Sequence, residues 1–318
     1  MTPRELHGLL REGEWVDLAA AARLERAEIT PDTPHIEALL ARAWVRLGQP
    51  DDANEAAESA RRRSTDPDVD LAFGEARLAA GQPGEARLVL QRARKNCPDG
   101  SVLAHEVDLA HAMVLQAVGE PELGYGLSVR CLEHARIQGD PIAIEEALVT
   151  VGHTAWACGR NDEATDAFER AHARREARGA TPVLRAEVLD GLGVCARHDN
   201  RPFDAVKHHT EALELWVAGT GEDSGPVSAC RHRLAQALHR TGDFLAARNE
   251  MALALLATGK TLGKDHVDTW ITRFELARYD VDCGQPEVGF PRMTAARAEV
   301  ARRLGDTHPV VQAMDRFL

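Results

Sequence analysis

Apolar residues recur along nearly the whole chain at helical spacing. The stretch 143–157 shows the pattern, with Ala143, Ile144, Ala147, Leu148, Val151 and Ala155 on one stripe and polar residues between them. Such stretches alternate with turn residues at Gly13, Gly48, Gly81, Gly119, Gly159, Asn200, Gly242 and Gly284, spaced 35, 33, 38, 40, 41, 42 and 42 residues apart. Glycine suits a helix end because it accepts the left-handed conformation, and asparagine is the next best choice. The pattern predicts two helices around each turn.

Small residues keep the same register. Seven positions before the turn stand Ala41, Gly74, Ala112, Gly152, Gly193, Ala235 and Ala277. Five after it come Ala53, Ala86, Gly124, Ala164, Ala205, Ala247 and Gly289, and twelve after it Ala60, Ala93, Cys131, Ala171, Ala212, Ala254 and Ala296. All 21 positions hold Ala, Gly or Cys, types that make up 83 of the 318 residues. Paired helices approach closely only where side chains are small. Trp44, Phe73, Phe168, Leu192, Leu234 and Leu276 are the candidates to fill the remaining core. The unit around Gly13 departs from the register, with Leu18 and Glu25 at the later positions.

A second ladder, Gly139, Gly179, Gly221, Gly263 and Gly305, falls where each second helix should end. Pro141, Pro182 and Pro226 follow it closely and open the next helix. The chain is expected to be one array over 1–318. It divides into an atypical pair at 1–30 that serves as a cap, short repeats over 33–98, longer repeats over 101–303 and a closing helix over 309–318. Cys97-Pro98-Asp99-Gly100 is the expected place for a change of pitch.

This spacing resembles the tetratricopeptide repeat. Gly152, Gly159, Ala164, Phe168 and Ala171 carry the pattern in full, as do Gly81, Ala86, Ala93 and the closing Pro98. Leu262-Gly263-Lys264-Asp265-His266 and Leu304-Gly305-Asp306-Thr307-His308-Pro309 make the later repeats similar to the kinesin-light-chain type. The resemblance implies an all-α, right-handed superhelical solenoid of about eight helix-turn-helix repeats plus a C-terminal helix. Where the family has a large residue early in the first helix, this chain has Glu37, Asp70, Asp108, Arg231 or Arg273. The family's clamp for chaperone tails uses Lys and Asn at positions that here hold Val149, His153, Asp190 and Val194.

Composition agrees with helices. The chain has 52 Ala and only 4% aromatic residues, too few for a sandwich or barrel. A net charge of −12 argues against nucleic acid as a partner. No apolar run long enough for a membrane span and no leader-like segment appears, and six scattered Cys form no C-x-x-C. A cytoplasmic location with reduced thiols is therefore expected. Basic charge rests on 34 Arg against four Lys, a bias common in GC-rich bacterial genomes.

Motifs for catalysis or cofactors are weak. Gly191 to Ala196 fits G-x-G-x-x-A but lies inside a predicted helix rather than after a strand. Gly259-Lys260-Thr261 ends a helix and lacks the earlier glycine of a phosphate loop. No H-E-x-x-H occurs among the fourteen His. Hence no catalytic residue, metal or cofactor is expected, and repeats leave no room for a separate catalytic domain. In the resembled family the first helices of successive pairs line the concave face. By the turn register that face holds His153, Trp156, Arg197, His198, His232, Gln236, His239, Arg240 and Arg278, along with Asp190, Val194 and Phe274. These make a locally basic, histidine-rich stripe suited to an acidic peptide or protein segment. The expected function is a scaffold that binds a protein or peptide partner. A ligand-responsive sensor acting through another chain is the first alternative, and an enzyme with a His-rich site the second.

Overall fold

The computed structural model describes residues 1–25, 30 and 32–318. Those residues form seventeen α-helices, a short 3-10 turn and no strand. Proximity of Cα atoms divides them into two compact units, Met1–Cys195 and Ala196–Leu318.

The first unit opens with α1 (Pro3–Glu12) and α2 (Trp15–Glu25). The pairs α3 (Thr33–Arg46) and α4 (Pro50–Arg61), α5 (Pro67–Ala79) and α6 (Pro83–Asn96), α7 (Val102–Ala117) and α8 (Pro121–Gln138), and α9 (Pro141–Ala157) and α10 (Asn161–Arg178) follow. α11 (Pro182–His198) runs past the boundary. The second unit continues with α12 (Pro202–Thr220), α13 (Gly225–Thr241), α14 (Phe244–Thr261), α15 (Val267–Asp282), α16 (Pro286–Leu304) and α17 (Pro309–Met314). Helices lengthen from 12–14 residues in α3 to α6 to 16–19 residues in α7 to α16, so the longer repeat begins just after Pro98.

One local device makes every turn within a pair. All eight turn residues have positive φ, including Asn200 at 57°. The amide just after the turn bonds back to a carbonyl five residues earlier, as in Gln49 to Trp44 (2.9 Å), Glu120 to Leu115 (2.9 Å) and Gln285 to Asp280 (2.9 Å). This is the Schellman closure, which satisfies carbonyls left open at the helix end. Proline at the first position then starts α4, α6, α8, α12 and α16.

Between paired helices the small residues sit at contact distance. A Cβ on Gly124 of α8 would stand 2.6 Å from the Ala112 carbonyl oxygen of α7, and one on Gly289 of α16 would stand 2.6 Å from that of Ala277. The Phe168 ring lies between Gly152 and Gly191, within 2.7 Å and 2.6 Å of where their Cβ atoms would be. Phe168 is 1% exposed and keys α9, α10 and α11 together. Gly191 is therefore a packing residue inside a helix, not part of a dinucleotide loop. Trp44, Phe73, Leu192 and Leu234 are likewise buried. Phe274, expected on the concave face, is instead in the core of the second unit, beside Met293, Val311 and Met314.

The acidic and basic residues that replace the large early side chain form ion pairs. Asp70 of α5 is fully buried and accepts from Nε and Nη2 of Arg92 in α6, the former at 2.7 Å. Glu37 accepts from Ser59 (2.9 Å) and Arg63 (2.6 Å), and Arg231 donates to Glu250 (2.9 Å). Asp108 accepts from Arg94 (3.0 Å). Arg273 instead lies over the Trp270 ring, 4.1 Å from its centroid. A fork-shaped guanidinium thus spans the gap that an aromatic ring would fill.

Two predictions follow from this packing. Gly124→Ala should destabilise the fold by about 1–3 kcal/mol, since backbone must move to admit the methyl group. Gly126→Ala, two residues away on α8 and near only the Arg130 side chain at 3.7 Å, should stabilise it by up to about 1 kcal/mol. Asp70→Ala should cost about 2–3 kcal/mol, whereas Asp70→Leu should stay within about 1 kcal/mol of the parent, because leucine fills the buried volume that alanine leaves empty and the half-exposed Arg92 turns to solvent. Urea denaturation followed by circular dichroism measures all four.

Candidate partner-binding faces

In the second unit the sequence-derived stripe forms one patch across the end of α11, α13 and α15. Arg197 donates from Nη1 to Gln236 Oε1, and Gln236 Nε2 lies 3.0 Å from His232 Nε2. Arg240 donates from Nη1 to the Arg197 carbonyl oxygen at 2.8 Å. His239 stacks on Tyr279 with centroids 4.9 Å apart, and Arg278 caps the same ring at 5.1 Å. His198 is exposed beside Arg197 at the end of α11.

Carboxylates make this patch less basic than its composition suggests. Glu275 lies 2.8 Å from His232, and Asp282 lies 2.8 Å from His239. The positive character concentrates at Arg197. Burial, together with the neighbouring guanidiniums of Arg240 and Arg233, presses its pKa below the usual value. Burial would raise Glu275, but His232, Arg278 and Gln236 outweigh it and hold the carboxyl low. Burial and Glu275 push Tyr279 up to about 12, so its hydroxyl stays neutral.

His153 and Trp156 belong to α9 in the first unit, where they are half-buried. His153 meets the edge of Phe168 at 5.1 Å and lines a cavity of about 300 Å³. Leu78, Leu109, Met113 and Val149 supply the apolar wall, and four Arg and four Glu surround it. Two of these, Arg42 of α3 and Glu106 of α7, pair at 2.7 Å across the face, and Arg42 also donates to Glu75 at 2.8 Å. Burial alone would raise Glu106, but Arg42 and His7 hold it well below the usual carboxylate range. Burial and the like charge of Glu106 push Glu146 up to about 7, against the pull of Arg11 and Arg42.

Helix α1 lies in this same face. His7 Nε2 is 2.7 Å from Glu106, and Arg11 donates to Asp140 at 3.1 Å. At the far end Arg178 donates to Glu12 at 2.7 Å, and the Thr181 hydroxyl donates to the Glu12 carbonyl oxygen at 2.5 Å. Of these groove residues only Val149 and His153 were named from the sequence. The signal was present: Arg42, Glu75 and Met113 stand six residues before their turn glycines, the register that selected His153, Gln236 and Arg278. Position thirteen before the turn holds Glu106, Glu146 and Glu187. The seat of α1, by contrast, depends on contacts 99 to 169 residues apart, which no local pattern encodes.

The geometry agrees with known proteins. Residues 143–216 and 184–255 match the tetratricopeptide-repeat family. No curated protein matches the sequence. Among solved structures, a Rap protein complexed with Competence and Sporulation Factor superposes with a TM-score of 0.68 at 12% identity, over 99% of this chain and 92% of that one. The Cut9–Hcn1 hetero-tetramer of the APC/C gives 0.67 at 16% identity, over 99% of this chain and 54% of that one, so this chain spans about half of its length. BtubC (BKLC) from P. vanneervenii gives 0.56 at 19% identity, over 82% and 92%. The chain is an α-solenoid with the tetratricopeptide-repeat fold, and its segment 143–255 carries the sequence signature of that family.

Proposed function

We propose that this protein is a non-catalytic scaffold that holds a partner protein or peptide on the face of its first helices. The Arg197–Arg240 patch of the second unit is the candidate site for an acidic segment. The observation that carries the reading is the contact of Arg240 Nη1 with the Arg197 carbonyl oxygen at 2.8 Å, which sets two guanidiniums side by side with Arg233 near them. A partner carboxylate relieves the repulsion between them and takes a bidentate bond from a guanidinium. The stacked His239 and Tyr279 rings beside the cluster offer a flat surface for an apolar side chain. His153 and Trp156 extend the proposal to the first unit, and His198, His232, Gln236 and Arg278 to the rim of the second.

The fold supports the class of function. Two neighbours of this fold are complexes by their names, one with Competence and Sporulation Factor and one pairing Cut9 with Hcn1. The Rap likeness also favours a second reading, a sensor that responds to a short signalling peptide and acts through another chain. A cytoplasmic setting fits the six free cysteines. Among the described residues no helix is long and apolar enough to cross a membrane. The net charge of −12 disfavours nucleic acid.

The double variant Arg197→Glu/Arg240→Glu tests the site. Binding of a partner recovered on the parent chain should weaken by at least about 100-fold, roughly 3 kcal/mol, with helicity unchanged. Isothermal titration with that partner reads the change. Unchanged affinity in the folded variant would remove the patch from the interface.

A further inference from the structure

The first unit carries a groove that already holds a helix. α1 buries Leu6 and Leu10, one turn apart, while Arg4, Glu5 and Gly8 remain exposed on its other side. Next to each leucine is a basic residue. His7 meets Glu106, and Arg11 meets Asp140, with Glu146 at 3.8 Å. The groove also reads direction. Arg178 and the Thr181 hydroxyl take the last turn of α1, placing a cation and a donor where the helix end exposes carbonyls and partial negative charge. Gly13 then fits against α11, where a Cβ would stand 2.8 Å from Thr181 Oγ1 and 2.9 Å from Leu184 Cγ.

α1 is not an ordinary repeat helix. Its polar contacts reach α7, the start of α9, α10 and the segment opening α11, all far from it in sequence. Nor does it fill the groove. The cavity of about 300 Å³ lies beside Leu10, Arg11 and Trp15, with the apolar side chains of Leu78, Leu109, Met113 and Val149 facing it. Glu146 Oε2 and Arg11 Nε at this cavity are buried and make no hydrogen bond. The groove thus has recognition capacity that α1 leaves unused, in apolar volume and in an acceptor oxygen of Glu146 that no donor meets.

We propose that the first-helix face of the first unit is a docking groove for an amphipathic helix with two Leu–basic dipeptides spaced four residues apart, and that α1 is its resident occupant, displaced when a partner helix of this pattern binds. The site does not use the Arg197–Arg240 patch and selects the opposite charge. A partner with a bulkier apolar residue at the position of Leu10 fills the cavity that the resident helix leaves open.

The test uses the full chain and a labelled synthetic peptide of residues 2–14. Leu6→Asp/Leu10→Asp in the chain releases the resident helix without altering the groove wall. If α1 occupies the groove about nine-tenths of the time, the variant should bind the peptide at least about tenfold more tightly than the parent, as read by fluorescence anisotropy. A peptide with His7→Glu/Arg11→Glu should lose that binding. A folded variant that binds no better than the parent overturns the proposal. Hydrogen exchange on the parent chain provides a second measurement that needs no variant. The α1 amides should exchange at least about tenfold faster than those of α3 and α9, and faster still with excess peptide. Equal protection of α1 and α9, unmoved by the peptide, would overturn it equally.

Discussion

Close approach of paired helices at Ala and Gly is the constraint on which the rest of the structure depends. With a Cβ at Gly124 or Gly289 falling 2.6 Å from a backbone oxygen of the facing helix, no larger side chain fits at those crossings. That closeness fixes the helix pair as a unit. It also dictates where bulk is allowed, so Phe168 takes a slot made by two glycines, Gly152 and Gly191. Larger side chains are confined to the spaces between crossings and to the outer and inner faces. The left-handed turn residues complete the arrangement, because a short turn closed by the Schellman bond brings the second helix back at the required distance.

Ion pairs perform part of the packing in this chain. Aromatic residues are scarce, and positions where the repeat ordinarily places a large side chain hold Glu37, Asp70, Asp108 or Arg231. Each finds a charged partner, Glu37 on Arg63 just past the end of α4 and the others on an adjacent helix. Arginine suits this role. Its stem covers apolar surface while its planar head satisfies a carboxylate with two parallel bonds, as Arg92 does on Asp70. This accounts for an acidic chain with 34 Arg that still forms continuous helices. From the sequence alone those residues were departures from a family pattern. Their pairing across 14 to 26 residues appears only once the helices are placed.

Legibility therefore follows the range of the interaction. Turns and small residues recur in register because each repeat solves the same local problem, and Asn200 could be read as a turn residue from its place in the ladder. Side chains on the first-helix face were legible as positions but not as charges. His232 and His239 were placed on one face with Arg197, yet the carboxylates of Glu275 and Asp282 that temper them come from α15. Phe274 shows the limit of the register. One helical position separates a groove residue from a core residue, and Phe274 turns inward against Met293 and Val311. Within the first unit the seat of α1 went unread because its contacts run to helices about a hundred or more residues away.

The two units present different chemistry on the faces built by the same device. In the second, guanidiniums crowd around Arg197 beside a pair of stacked rings. In the first, Glu106, Asp140 and Glu146 meet basic residues of α1 over an apolar floor. Small residues at the helix crossings are indifferent to which charges stand on the open face, since those side chains lie away from the contacts that hold the pair together. The repeat thus separates the residues that determine the fold from those that determine what is bound. Positions six and thirteen before the turn can change from Glu to His to Arg along one chain while the register of Ala and Gly stays fixed. The two sets become linked where a groove residue also ties one repeat to another, as Arg42 of α3 does with Glu106 of α7 and His232 of α13 with Glu275 of α15.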